Sequence, residues 1–265
     1  MTKNRKITKH ITLMQMDFLK YIEEQEINVF TIEEIRNGGF GEDIIVELLG
    51  NLVRKGFLYR LERGKYCRST FKNENVIGTF LVPDGAVAYW NALHLHGLTA
   101  QFPNSVFIQT TKRKSAVSLF GTDFQFIKIK PEKRTGIIYN GYGNHKFPLT
   151  DIEKTIVDCF DLPQYSGGYA ELIRAFYQAN LNAEKLINYC MAINNLAATK
   201  RLGFLSELFE KCELADFIAL AKTKINRTYN LFNPFGNDSG ETNSDWYLRM
   251  NLPVENILGI TQNRG

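Results

Sequence analysis

No stretch of the 265-residue chain approaches the roughly 20 consecutive apolar residues that a bilayer span requires. That absence predicts a soluble protein. The opening MTKNRKITKH is basic but is not followed by an apolar segment, so neither secretion nor membrane insertion is indicated and a cytoplasmic protein is expected. Cysteine is scarce: Cys67, Cys159, Cys190 and Cys212 never form a CxxC pair, which argues against a zinc site or a disulfide framework and for reduced, mostly buried thiols. Phosphate-loop spacing, G-x-x-x-x-G-K, is missing. Pro83 and Asp84 could open a PD–(D/E)xK nuclease, yet no (D/E)xK follows them to hold metal and water. The segment GNDSGE lacks the spacing of acids that a nucleotidyltransferase needs after its GS dipeptide. A non-enzymatic protein without cofactor or metal is therefore expected. Charge of one sign is not in excess either: the net charge is +4, so any polyanion partner must be sought in local clusters.

Such a cluster is present in the first quarter of the chain. LMQMDFLKYIEEQ reads as an amphipathic helix with Leu13, Met16, Leu19 and Ile22 on one face. Thr31 and Glu34 in TIEEI form a capping box and start a short second helix. A third helix, GEDIIVELLGNLVRKG, turns Ile45, Leu48, Leu49 and Leu52 inward and ends at Gly56. FLYRLERGKYCR then reads as a hairpin around ERG. Between positions 54 and 72, Arg54, Lys55, Arg60, Arg63, Lys65, Arg68 and Lys72 face a single acid, Glu62. Three small helices and a basic hairpin are the parts of a winged helix-turn-helix over residues 1–72, in which wing cations neutralise phosphates and the third helix enters the major groove. Glu42, Asp43 and Glu47 at the start of that helix suit its dipole but would repel phosphate, so base reading is expected from Asn51 and Arg54. Lys3, Arg5 and Lys6 could add a basic arm. The alternative is a solvated basic face on a winged helix that contacts protein.

A boundary is expected in KNEN, with a second domain over residues 76–265, strand-rich to about residue 150 and mainly helical after it. Asp84 is read as the cap of a buried helix from Gly85 to about Leu95, ended by Gly97. Within it YWNALHLHGL concentrates His94 and His96, which stand about 200 degrees apart on a helix and so cannot grip one metal. A hydrogen-bonded packing role is the better reading for these histidines. SVFIQTT, FQFIKIK and GIIYNGY read as strands. Their connections hold a second basic cluster, Lys112, Arg113 and Lys114 with Lys128, Lys130, Lys133 and Arg134, which either binds an anion or is the solvent side of strands. Thr150 and Glu153 suggest another capping box before a helix with Ile152, Ile156, Val157 and Phe160 inward. From Gly168 almost to Lys224 the pattern is helical; NPFGNDSGETNS is a polar loop and DWYLRMNLPV a closing strand. The fold class expected is thus α+β: a winged helix-turn-helix followed by a mixed α/β domain with a helical C-terminal part.

The ordered set LVRKGFLYRLERGKY, YWNALHLHGL with Phe102, Pro103 and the QTT strand, LTDIEKTIVDCFD, QYSGG, TKRLGFLSEL and NSDWYLRMNL resembles the AbiEi antitoxin family of type IV toxin-antitoxin systems over most of the chain. The resemblance implies a winged helix that represses its own operon by binding inverted repeats in operator DNA. It also implies a C-terminal domain that counteracts a cognate nucleotidyltransferase-like toxin without requiring a stable complex, a role in abortive infection and phage defence. The DNA role would fall on Arg54, Lys55, Arg60, Arg63, Lys65 and Arg68. A winged-helix regulator whose second domain senses a ligand or partner is the competing reading.

Overall fold

The structure is a computed structural model describing residues 10–37 and 39–262, apart from the side chains of Asn37, Glu42 and Asp43. The basic arm of Lys3, Arg5 and Lys6 lies outside the described residues. Backbone contacts divide the chain into two compact units, residues 1–83 with 141–146, and residues 84–140 with 147–265.

The first unit runs α1 (Leu13–Glu24), β1 (Val29–Thr31), α2 (Ile32–Asn37), α3 (Glu42–Arg54), β2 (Leu58–Glu62), β3 (Lys65–Arg68) and α4 (Glu74–Phe80). Its sheet has the order β1-β3-β2, antiparallel throughout. This is the winged-helix order, with a short β1 that the sequence pattern did not announce. The Thr31–Glu34 capping box is present, with the Thr31 amide 2.7 Å from the Glu34 carboxylate and the Glu34 amide 3.1 Å from the Thr31 hydroxyl. Ile45, Leu48, Leu49 and Leu52 of α3 are buried against Phe18, Ile22 and Phe30. The inward face of α1 differs from the expected one. Leu13 is 79% and Met16 53% exposed, while Gln15, Phe18 and Ile22 are buried. A capping box between Thr12 and Gln15 fixes where the helix starts, and Lys55 Nζ donates to Gln15 Oε1 at 2.7 Å, so the amide and not the methionines faces inward. Extending past residue 72, the unit takes in α4, started by Asn73, whose side chain accepts from the Val76 amide.

The second unit holds β4 (Ala86–Val87), α5 (Tyr89–Leu95), β5 (Ser105–Thr110), β6 (Val117–Leu119), β7 (Thr122–Lys128), β8 (Ile137–Asn140) and β9 (Phe147–Thr150). These strands form a mixed six-stranded sheet, β6-β7-β5-β4-β9-β8, with β5/β7 and β4/β9 parallel. Helices α6 (Ile152–Asp161), α7 (Tyr169–Gln178), α8 (Ala183–Ile193), α9 (Leu196–Leu208) and α10 (Ala215–Lys224) follow. A small sheet, β10 (Asn230–Leu231), β12 (Leu248–Met250) and β11 (Glu241–Asn243), and α11 (Val254–Gln262) complete it. The core of the unit is aromatic and aliphatic, with Phe160, Phe176, Phe217, Phe232 and Trp246 all at 1% exposure or less.

Two caps differ from the sequence reading. Asp84 does not start a helix: it precedes β4 and its carboxylate accepts from the Thr111 amide at 2.9 Å and hydroxyl at 2.6 Å, so α5 begins only at Tyr89. Asp151, not Thr150, caps α6 by accepting from the Lys154 amide at 2.8 Å. Glu153, freed from that role, accepts from the Asn182 amide at 2.9 Å and helps start α8. α11 is a further element that the closing-strand reading missed. Overall the architecture is α+β, a winged helix-turn-helix followed by a mixed unit whose C-terminal part is helical.

Candidate nucleic-acid interface

The wing sorts its cations by what each ammonium or guanidinium already touches. Arg60 and Arg63, on β2 and in the turn, are exposed, and the Arg60 Nε contact to the Glu62 carbonyl is long at 3.4 Å. Arg54, at the end of α3, is exposed and donates to Asn51 Oδ1 one turn earlier, so the two residues predicted to read bases are tied into one oriented pair. The other three are committed within the unit. Lys65 Nζ donates to the carbonyls of Phe80 and Leu81 at 3.1 and 2.7 Å, pairs with Glu62 at 3.0 Å and lies 5.4 Å from the centre of the Phe80 ring. That ammonium satisfies the C-terminal carbonyls of α4 and complements its dipole. Lys55 Nζ reaches the His10 carbonyl at 2.5 Å as well as Gln15, and Arg68 pairs with Glu23 at 3.5 Å. Lys55, Lys65 and Arg68 thus each hold a partner within the unit, whereas Arg54, Arg60 and Arg63 are exposed. The segment to which each of the first three is bound was not visible in the sequence spacing.

α3 itself presents a partly apolar surface. Ile44 and Val46 are about half exposed, Glu47 and Gly50 are exposed, and Ile44 borders a cleft of about 520 Å³ with Leu13, Met14, Phe40 and Leu48. An apolar side chain at this position can meet a thymine methyl group in the major groove. Sequence reasoning missed this face because it assigned Leu13 to the core; the T-x-x-Q of Thr12–Gln15 was the signal that fixes the helix register.

In the second unit the dense YWNALHLHGL segment is built into the packing. His96 Nε2 lies 2.7 Å from the Thr150 carbonyl, at the start of LTDIEKTIVDCFD. His94 packs on Phe102 with ring centres 4.7 Å apart. Tyr89, buried and at φ +56, meets Tyr165, and burial first, then the charges of Asp158 and Asp161, hold its hydroxyl well above the usual range. Gly167 of QYSGG, at φ +79, lies so close to the Trp90 indole that a Cβ would come within 2.5 Å of it. TKRLGFLSEL and NSDWYLRMNL interlock in the same way. Trp246 lies over Gly203, where a Cβ would fall 2.1 Å from the ring, and its Nε1 donates to Glu207 at 2.6 Å. Lys200 donates to Asn226 and Asn230, and Arg201 donates twice to the Leu231 carbonyl. Within the second unit, the segments that carry the sequence resemblance thus pack on one another in pairs. Burial pushes the Cys67 thiol up to about 11, Cys190 up to about 12 and Cys159 well above its ordinary value. Cys212 is the exposed cysteine.

The second basic cluster is also divided. Lys133 pairs with Asp161 at 2.7 Å, Arg134 Nε donates to the Asp84 carbonyl at 3.1 Å, and Lys114 lies 5.4 Å from the centre of the Phe126 ring. Lys112, Arg113, Lys128 and Lys130 are exposed. No helix among the described residues is long and apolar enough to cross a membrane.

No protein-family model and no curated protein matches the chain. Among solved structures, the crystal structure of the RV2827C protein from Mycobacterium tuberculosis is similar with a TM-score of 0.66 at 14% identity, over 96% of each chain. The likeness is one of fold, and it extends over nearly the whole chain.

Proposed function

We propose that the chain is a DNA-binding antitoxin of the AbiEi kind: its winged helix represses its own operon at inverted repeats, and its second unit counteracts a nucleotidyltransferase-like toxin in the cytoplasm. The observation that carries the DNA half is the trio Arg54, Arg60 and Arg63, three exposed guanidinium groups on the third helix and wing of a winged-helix topology. Phosphate neutralisation supplies the bulk of such binding and makes it salt-dependent. What supports the antitoxin half is the ordered motif set, whose members pack on one another within the second unit. Co-expression with a neighbouring nucleotidyltransferase-like gene tests it: full-length chain should rescue growth, and the Arg54→Ala/Arg60→Ala/Arg63→Ala variant should rescue equally while losing operator binding. Continued toxicity with full-length chain present would remove the antitoxin reading.

One observation favours a second reading, a regulator that senses a ligand. A cleft of about 230 Å³ among α8, α9 and α10 is lined by Ile187, Met191, Phe217 and Leu220, with Asn194, Thr199 and Lys224 as polar groups. Ligand pockets have this mix of apolar wall and few polar handles. Operator release by a small apolar acid, without any toxin present, would select this reading over the first.

A further inference from the structure

We propose that the cleft among α8, α9 and α10 binds a carboxylic acid with a one-ring apolar body, its carboxylate held by Lys224 and Asn194 at the start of α9. The inference deepens the ligand-sensing reading and rests on it only for what binding does to operator DNA.

Three helix ends build the cleft. α8 finishes at Ile193, and Asn194 turns the chain at φ +51, in the left-handed region that asparagine tolerates. Asn195 then starts α9 by accepting from the Ala198 amide at 3.2 Å. Asn194, Leu196 and Thr199 all line the cleft, so it opens on the first turn of α9. The end of α10 closes the other side, with Leu220, Ala221 and Lys224 on one helical face.

The two ends of the cleft differ in chemistry. Its floor is apolar: Cys190, Phe217 and Ala221 are buried, and Met191 at the rim is 60% exposed, an adaptable side chain that a ligand can cover. Cys190 counts with the floor, because burial pushes its thiol up to about 12 and keeps it neutral. The other end favours negative charge. Lys224 is exposed and has no ion pair or hydrogen bond among the described residues, whereas Lys222, on the same helix, holds Glu207 at 2.5 Å. The Asn194 side-chain amide is likewise without a partner among the described residues and can donate. A helix N-terminus carries positive partial charge, which adds to that of the lysine. None of the described residues lining the cleft is acidic.

These features select the ligand. An apolar cavity of about 150 Å³ holds benzene, so a cleft of about 230 Å³ has room for one ring and a short acid arm. A helical peptide needs a groove for several anchors along its length, and this cleft takes one. Phosphate would bring nearly two charges and three acceptor oxygens to one lysine and one amide. A carboxylate, with a single charge and two oxygens, matches that pair.

The test titrates 4-fluorophenylacetate, and its neutral amide as control, into the full chain at low salt and follows the fluorine resonance by NMR. The acid should bind saturably with a Kd of about 1 mM or tighter, and the amide about tenfold more weakly. Lys224→Glu, at an exposed position, should weaken the acid about tenfold and leave the amide unchanged. Ala221→Leu fills the floor and should remove both; if it melts early through overpacking, Lys224→Glu is read alone. No saturation by the acid, acid and amide binding alike, or acid binding that Lys224→Glu leaves unchanged would each overturn the proposal. The sensing reading fails separately, as an acid that binds with these properties and leaves operator binding unmoved.

Discussion

Replacing Lys65 with methionine separates a structural cation from a DNA-binding one. Its ammonium donates to the carbonyls of Phe80 and Leu81 at 3.1 and 2.7 Å and pairs with Glu62 at 3.0 Å, the two side chains being 21% and 32% exposed. Hydrogen bonds to a charged group contribute about 1.5 to 3 kcal/mol each to net stability when buried. The carbonyls sit at a helix end that water reaches in part, and the ion pair is screened, so it adds under about 1 kcal/mol. Lys65→Met keeps the stem and loses the donor, for a net cost of about 2 kcal/mol. In a unit of this size that lowers the melting midpoint by about 10 °C. Differential scanning calorimetry reads the midpoint, and anisotropy on operator DNA below the transition reads the salt slope. The slope should stay at the parent value, because the ammonium faces α4. An unchanged midpoint with a slope reduced by about 0.9 would refute the assignment and return Lys65 to the phosphate-facing set.

Three further outcomes follow from the packing. Gly203→Ala adds a good helix former to α9, yet its Cβ would lie 2.1 Å from the Trp246 ring, so a loss of about 3 kcal/mol is expected in urea unfolding and a gain would contradict the interlock. Gly167→Ala combines φ +79 with a clash on Trp90 and should lower the melting point, with Gly97→Ala, open around its Cβ at φ +71, losing less. Burial pushes Asp84 up, but hydrogen bonds from Thr110 and Thr111 and the Arg134 charge more than offset it and hold its carboxyl below its ordinary value of 3.8. Its contribution is therefore present above 3.8 and lost as pH falls through the lower folded value. The stability gap between the parent and Asp84→Asn should narrow on acidification below pH 3.8, and a gap that widens there would reverse the sign of the argument.

Periodicity was legible where one residue type fills one face. Ile45, Leu48, Leu49 and Leu52 repeat at helical spacing and are buried as that spacing requires; Ile127 and Ile129 alternate with lysines and face inward. It misled where a polar side chain was structural. Gln15 displaces Leu13 and Met16 from the α1 core because it serves both the cap and Lys55, a partner 40 positions away that no local pattern contains. Asp84 and Thr150 were both read as caps and neither is one: Asp84 is captured by a loop from the far end of β5, and Asp151 takes the cap of α6. Short β4 and β6 were invisible because two or three residues carry no period, and the nine-residue α11 was missed behind a segment read as a closing strand. For the wing, the basic count was readable, but which cations are free depends on contacts to α4 and α1.

Under the proposed function, exposed guanidinium groups of the third helix and wing hold duplex phosphate. The most direct measurement is the salt slope of operator binding for the full chain against Arg54→Ala/Arg60→Ala/Arg63→Ala. Removing three contacts should flatten the log–log slope by about 2.7 while melting stays at the parent value; a slope that does not move would place the DNA, if any is bound, elsewhere on the protein.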